Sequence, residues 1–235
     1  MGLDHVSMTD GQLRIRERLV APPRQETMYR AGKRAIDVLF AAAAFVALAP
    51  VLLLIALIVR LDSPGPALFR QERLGRDRKP FVMLKFRTMW QDADDAFHRD
   101  AVHKTANGIR TETSNGKQVF KSLEDPRITR VGKVLRATGL DELPQLINVL
   151  RGEMSLVGPR PAVPYELPYY KDWHHYRFAV APGITGLWQV MRSAGTDFED
   201  MMRLDVQYTA GCSIWQDLKL MAMTIPAIVK ERGAY

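Results

Sequence analysis

One uncharged segment, VLFAAAAFVALAPVLLLIALIV, dominates the hydrophobic pattern of the chain and extends from Val38 to Val59. A helix rises 1.5 Å per residue, so this segment covers roughly 30 Å, the thickness of the hydrocarbon core of a bilayer. Pro50 lies near its middle, where it removes one helical hydrogen bond. The pattern therefore predicts a membrane helix over residues 35–60 with a kink at the proline.

Basic residues flank this segment on both sides. Lys33 and Arg34 precede it, and a series of cations follows it: Arg60, Arg70, Arg73, Arg76, Arg78 and Lys79. Because positively charged flanks tend to stay in the cytoplasm, both ends are predicted on the same side of the membrane. The pattern favours a re-entrant hairpin, with a single span as the alternative, since prolines also occur within spanning helices. The length disfavours a core helix of a soluble domain, and the late start disfavours a signal peptide.

After the apolar segment, two runs of strand-like composition, PALFRQERLG and PFVMLKFRTM, flank the turn-like sequence RDRK. This order predicts a small β-hairpin. Successive side chains of a strand point to opposite faces, so the second run divides into two sets: Lys85 and Arg87 on one face, and Val82, Leu84 and Phe86 on the other. The basic face either contacts solvent or binds an anion.

Further segments have helical periodicity. DPRITRVGKVLRATG predicts a helix that begins at Asp125 and ends near Gly139, and the leucines after it predict a second helix with Gly152 as its C-cap. Towards the C-terminus, FEDMMRLDVQY and SIWQDLKLMAMTIPAIVKER predict two more, the last either in the membrane interface or in the core. Residues 1–32 are polar and predict a flexible tail, and residues 91–124 predict a surface excursion.

Composition narrows the classes of partner. Lys and Arg number 33 against 26 acids, giving a formal charge of +7, which indicates an anionic partner such as nucleic acid, membrane headgroups or a phosphorylated substrate. The apolar segment and the lack of a recognised binding module disfavour nucleic acid. The single cysteine excludes an internal disulfide framework, and the adjacent His174 and His175 do not have metal-ligand spacing.

Two adjacent carboxylates, Asp141 and Glu142, stand just before a proline in the sequence GLDELPQL. The periodicity after them places the pair at a helix N-terminus, where the macrodipole favours ionised carboxylates. Ordinary capping explains one of the two acids and leaves the other unexplained. Arg136, Arg151 and Arg160 cluster near the two acids in the sequence, and Arg160 belongs to the turn-like SLVGPRP. The pair is therefore the best chemical candidate, because no P-loop, nucleophile elbow or zincin motif occurs.

Several long motifs in order resemble the bacterial sugar transferase family, the monotopic polyprenyl-phosphate phosphoglycosyl transferases. They are KRAID, the Pro-interrupted apolar segment, LKFRTM, DPRITRVGKVLR, LDELPQLINVLRGEMSLVGPRP, PGITGLWQV and LDVQY. The resemblance covers roughly residues 33–235 and is more specific than any one motif. It implies a catalytic domain over those residues, behind the flexible tail.

The resemblance implies an activity and a set of site residues. A UDP-sugar would donate sugar 1-phosphate to undecaprenyl phosphate with release of UMP, through a covalent aspartyl phosphosugar. Asp141 and Glu142 match the catalytic Asp-Glu pair of the family, with Asp141 as nucleophile and both acids as Mg²⁺ ligands. Lys85, Arg136 and Arg160 would bind the substrate. The guanidinium groups of the two arginines can pair bidentately with phosphate oxygens, and Lys85 belongs near this site in the family's pattern.

The resemblance also implies an α+β, mainly helical monotopic protein with a small hairpin and interfacial helices, at the cytoplasmic face of the bacterial inner membrane. Many relatives have Ser-Pro at the helix break, whereas this chain has Ala49-Pro50. No multi-span N-terminal region is present, so a member consisting of the catalytic unit alone is expected. The sugar and the pathway stay open, and a homodimer is one option for assembly. A non-catalytic, membrane-anchored scaffold of polysaccharide assembly is the rival function.

Overall fold

A computed structural model of the chain describes residues 25–91, 125–191 and 197–232. Its helices are α1 (Gln25–Asp62), α2 (Arg130–Thr138), α3 (Gln145–Arg151), α4 (Leu187–Met191), α5 (Phe198–Gly211) and α6 (Ile214–Arg232). Its strands are β1 (Leu68–Leu74), β2 (Pro80–Phe86), β3 (Ser155–Val157) and β4 (Gly183–Thr185). Short 3-10 helices occupy Arg76–Arg78, Leu140–Glu142, Pro164–Tyr169 and Asp172–Ala179. The predicted mainly helical α+β class is confirmed.

Helix α1 contains the predicted membrane segment and is long and apolar enough to cross a bilayer. Only 11% of its most apolar stretch is buried, whereas a core helix of a soluble protein is mostly buried. The helix continues through Pro50 and begins at Gln25, so the predicted tail is eight residues too long, from 25 to 32. In this first part of the helix the Tyr29 hydroxyl donates to the carboxylate of Asp217, 3.2 Å away. The predicted excursion over 91–124 lies, except for Gln91, outside the described residues.

One face of α1 packs along its length on the rest of the protein. Ala41, with Ala44 and Phe45, joins a cluster with Phe81 and Met83 of β2 and with residues of α3. Further along, Ile55 and Val59 join a second cluster, with Phe86 of β2 and Leu135 of α2. The opposite face of α1 exposes large aliphatic side chains throughout, including Leu39, Val46, Leu53 and Leu57. The helix therefore has one protein-facing side and one side that remains apolar and uncovered.

Polar contacts fix the N-terminal end of α1. Arg34 donates from Nη1 to the Val149 carbonyl at 2.5 Å and from Nη2 to the Leu150 carbonyl at 2.8 Å, at the end of α3. Such a cation satisfies carbonyls that have no partner within their own helix. One turn later Asp37 accepts from the Leu156 amide at 3.0 Å.

The C-terminal end of α1 is fixed by Arg87, which follows β2. Its guanidinium donates to the carbonyls of Val59 (3.3 Å) and Ser63 (2.8 Å), and also to the carbonyl of Pro64. Asp62 accepts from the amide of Val131 in α2 at 3.4 Å. Both ends of the apolar helix are thus bonded to the same folded body.

Strands β1 and β2 form the predicted antiparallel hairpin, with Leu68 opposite Phe86 and Leu74 opposite Pro80. Of the two alternatives for the basic face, contact with solvent does not hold for Arg87, which is only 6% exposed, while Lys85 keeps 21% of its side chain exposed. On the other face of the strand Val82 is 45% exposed. The reason is that α1 and α3 pack on the side of β2 that carries Phe81 and Met83.

Helix α2 begins later than predicted. Thr129 is the N-cap, and its hydroxyl accepts from the Gly132 amide at 3.0 Å, whereas Asp125 pairs with Arg127. A strand-like contact delays the helix, because the Thr129 amide donates to the Thr88 carbonyl at 3.1 Å. Gly132 allows this approach, since a Cβ there would lie 2.1 Å from the Thr88 oxygen. The predicted end near Gly139 is confirmed.

The segment SLVGPRP, which the sequence indicated as turn-like, pairs with the segment APGITGLWQV, and the two contain the parallel strands β3 and β4. Their glycines permit the close pairing, because a Cβ on Gly183 would lie 2.1 Å from the Gly158 nitrogen. Helices α5 and α6 were predicted correctly and pack around this pair. Tyr208 of α5 donates to Asp217 of α6 at 2.6 Å, and Asp217 also accepts from Lys33 of α1 at 2.7 Å. This network joins α1 to the C-terminal helices.

Candidate active site

The acid pair lies in the 3-10 helix Leu140–Glu142, between α2 and α3. Gly139, with φ of 72°, ends α2 in the left-handed conformation and turns the chain into this short helix. Pro144 is the N-cap of α3, so the two acids precede that helix rather than cap it as expected. Asp141 is 4% exposed and Glu142 is half-buried. Two neighbouring carboxylates in such a position need compensating positive charge.

Lys85 supplies part of this charge. Its ammonium group lies 3.2 Å from the carboxylate of Glu142, and both side chains are partly buried. The contact joins β2 to the turn between α2 and α3, two segments that are far apart in sequence. The structure thus brings Lys85 to the acid pair, as the resemblance implied.

Arg136, in the last turn of α2, is the second cation. Its Nε donates to the Thr88 hydroxyl at 2.9 Å, which orients the guanidinium. Burial lowers the pKa of Arg136, and the charges of Asp141 and Asp125 act in the opposite direction. Arg136 is therefore in electrostatic contact with Asp141.

Arg160 is linked to the acid pair only electrostatically, through a further arginine, Arg73 of β1, which also feels the charge of Glu142. Arg160 donates to Glu166 at 3.2 Å and keeps 29% of its side chain exposed. Arg73 is buried, and burial together with the charge of Arg160 lowers its pKa to about 10, while Glu166 and Glu142 act to raise it. Arg73 thus lies within electrostatic reach of both Arg160 and the acid pair.

Sequence reasoning missed Arg73, Thr88 and Glu166. In the sequence Arg73 is one of several cations after the apolar segment. Its inward direction depends on the hairpin and on the Pro161 carbonyl, which accepts from its guanidinium at 2.9 Å. Glu166 is a single acid in a proline- and tyrosine-rich segment and has no motif spacing. Thr88 was the easiest to find, because it belongs to the motif LKFRTM that also contains Lys85.

The acidic, histidine and cysteine side chains that could bind a metal were compared with the predicted Mg²⁺ site. Within residues 25–91, 125–191 and 197–232, no group of three or more His, Cys, Asp or Glu side chains converges. An all-protein metal cage is therefore absent from the described chain. Mg²⁺ usually binds through one or two carboxylates and completes its shell with water and substrate phosphate. Asp141 and Glu142 fit that mode, and the magnesium site remains a prediction.

In chemical terms the site offers two carboxylates with Lys85 beside Glu142 and Arg136 in electrostatic contact with Asp141. Arg73 extends the positive charge from Glu142 towards Arg160. Cations of this kind bind phosphate oxygens and neutralise charge that develops on them. A carboxylate among such cations can act as a nucleophile towards phosphorus.

Comparison with known proteins places this geometry in context. A model of the family described as bacterial sugar transferase matches residues 28–231. The exopolysaccharide production protein ExoY of Sinorhizobium fredii is 38% identical over 87% of this chain and 88% of its own length. The UDP-glucose:undecaprenyl-phosphate glucose-1-phosphate transferase of Caulobacter vibrioides is 41% identical, over 86% of this chain and 72% of that protein. The galactosyl transferase CpsE of Streptococcus agalactiae is 42% identical over 75% of this chain, which spans only 37% of that protein.

Proposed function

Because the chain belongs to the bacterial sugar transferase family, we propose that it transfers sugar 1-phosphate from a UDP-sugar to undecaprenyl phosphate. The products are UMP and undecaprenyl-diphospho-sugar, and the reaction is the first membrane step of exopolysaccharide or related glycan synthesis. The name of the Caulobacter relative states the same type of transfer with glucose. The observation that carries the proposal is the buried Asp141, next to Glu142 and in the field of Arg136.

In the proposed reaction a carboxylate oxygen of Asp141 attacks the phosphorus that bears the sugar. A new P–O bond forms, the P–O bond to UMP breaks, and UMP leaves with the bonding electrons. A phosphate oxygen of undecaprenyl phosphate then attacks the same phosphorus and releases the Asp141 carboxylate. The different surroundings of the two acids support this assignment, because Glu142 is paired with Lys85 while Asp141 faces Arg136.

The cations bind and orient the donor. Arg136 and Arg160 present planar guanidinium groups that pair with two phosphate oxygens at once, and Lys85 adds a point charge beside Glu142. Together they offset the charge that accumulates on the departing UMP. When bound by Asp141 and Glu142, Mg²⁺ would supply further neutralisation of the diphosphate.

The attachment of α1 supports a monotopic, re-entrant arrangement at the cytoplasmic face of the inner membrane. The helix between Arg34 and Val59 would cover roughly 37 Å if straight, close to a full bilayer. Yet Arg34 bonds to α3 and the Val59 carbonyl accepts from Arg87, and both partners belong to one packed body. A simple span would place these contacts on opposite sides of the membrane. The uncovered face of α1 then contacts lipid, as do the interfacial helices.

The test is a transfer assay on the full chain in membranes, with undecaprenyl phosphate and a panel of UDP-sugars, in which UMP release is measured. Acceptor-dependent formation of a lipid-linked sugar is the expected result for at least one donor. Asp141→Asn serves as the inactive control. If the folded protein releases no UMP with any donor, the proposal fails and the scaffold function takes its place.

A further inference from the structure

A buried carboxylate, Glu166, lies behind the candidate phosphate-binding arginine. It belongs to the 3-10 helix Pro164–Tyr169 and is 2% exposed. One of its oxygens accepts from Nη1 of Arg160 at 3.2 Å, and the other accepts from the Tyr170 hydroxyl at 3.1 Å. Arg160 is partly open to solvent whereas Glu166 is not. Glu166 can therefore contact Arg160 but not a substrate bound on the open side of that guanidinium.

A second buried pair holds the backbone of the same residue. Arg177 donates from Nη2 to the main-chain carbonyl of Arg160 at 2.7 Å and to Asp205 at 2.5 Å. Arg177 also donates to the Tyr170 hydroxyl, so the two halves of the cluster are connected. Both the side chain and the backbone of Arg160 are thus fixed from behind.

The charges in this cluster keep Glu166 ionised. Burial alone would raise its pKa, but the charges of Arg160, Arg177 and Arg73 outweigh burial and leave the pKa below its ordinary value. A buried charge is costly unless it is paired, and removing one partner leaves the others uncompensated. The orientation of the Arg160 guanidinium therefore depends on the negative charge of Glu166.

We infer that Glu166 is a positioning residue that acts through Arg160, holding its Nη1 so that the remaining guanidinium donors face the phosphates of the UDP-sugar. The inference rests on the proposed function, since it assigns Glu166 a part in the binding of that donor. It predicts that the kinetic effect of changing Glu166 disappears when Arg160 is already absent, because a positioning residue has nothing left to position.

The experiment is a double-mutant cycle on kcat/KM for UMP release, with wild type, Glu166→Gln, Arg160→Met and the double variant. Glutamine keeps the shape of Glu166 and can still accept from Arg160, but removes the charge. We expect Glu166→Gln to lower kcat/KM on the order of tenfold in the wild-type background and less than about twofold in the Arg160→Met background. Glu72→Gln, the same change at an exposed position of β1, is the matched control and should leave kcat/KM unchanged.

A purely structural role for Glu166 gives a different result, namely the same fold loss of kcat/KM in the wild-type and Arg160→Met backgrounds. That outcome overturns the inference, as does full activity of Arg160→Met. If Glu166→Gln does not fold, the cycle is run with Glu166→Asp, which keeps the charge but shortens the side chain and so withdraws its oxygens from Nη1 of Arg160. The same criterion then applies. Absence of UMP release by wild type would instead reject the proposed function, so the two failures are distinguishable.

Discussion

Arg87 offers the sharpest test of how the apolar helix is attached to the catalytic body. Replacing it by methionine keeps much of the side-chain volume but removes the donors to the carbonyls of Val59, Ser63 and Pro64. The Val59 contact is long at 3.3 Å, and Pro64 is exposed, so its carbonyl can bind water instead. The Ser63 bond of 2.8 Å carries most of the loss.

A hydrogen bond to a charged group contributes about 1.5–3 kcal/mol, and a buried carbonyl left without a partner adds about 1–3 kcal/mol. With the two weaker contacts discounted, we expect Arg87→Met to lower the free energy of unfolding by about 3 kcal/mol. For a domain of this size each kcal/mol shifts Tm by about 2–4 °C, so a decrease of about 6–12 °C is expected.

The assay is thermal unfolding in one detergent at one heating rate, followed by tryptophan fluorescence. Arg70→Met is the matched control, because Arg70 is an exposed cation on the other strand of the same hairpin and should keep the wild-type Tm. UMP release is also expected to fall, since Arg87 lies between Lys85 and Thr88, which contact Glu142 and Arg136. A Tm of Arg87→Met within about 2 °C of wild type would refute the reasoning and show that the carbonyls find other partners.

Three further predictions concern the site, its pH dependence and the membrane. With labelled UDP-sugar and no lipid acceptor, wild type should retain label on Asp141 and release UMP, whereas Asp141→Asn should do neither. Glu142→Gln should react slowly but still retain label. UMP release only in the presence of acceptor would contradict the covalent step. The pKa of Glu166 in the folded protein is held below its ordinary value of 4.5. The ionised carboxylate therefore stabilises the fold above about pH 4.5, and this stabilisation is lost as pH falls through the lower pKa of the folded state. Chemical unfolding should therefore show the largest cost of Glu166→Gln at neutral pH, declining below about pH 4.5, and a cost independent of pH would reject the linkage. Single cysteines at Ala31 and Arg76, in a background without the native cysteine, should both react with a membrane-impermeant thiol reagent only after the cytoplasmic side is opened. Labelling of the cysteine at Ala31 from the periplasmic side would establish a spanning helix.

Much of the local structure was determined by the sequence alone. The apolar segment predicts a membrane helix because length and hydrophobicity are properties of consecutive residues, and α1 contains all of it. The hairpin and the helix stop at Gly139 follow from turn chemistry, which is also local. The acid pair and the basic residues Lys85, Arg136 and Arg160 were identified from motifs, because their order along the chain carries the family resemblance.

Only the tertiary structure decided which charged side chains point inward. Arg73 and Arg87 look like surface cations in the sequence, yet both are buried because carbonyls from distant segments accept from them. The start of α2 at Arg130 depends in the same way on the contact between Thr129 and Thr88. Long polar side chains and helix ends can take several arrangements of similar local energy. Partners far away in sequence select among them, and a sequence pattern does not contain those partners.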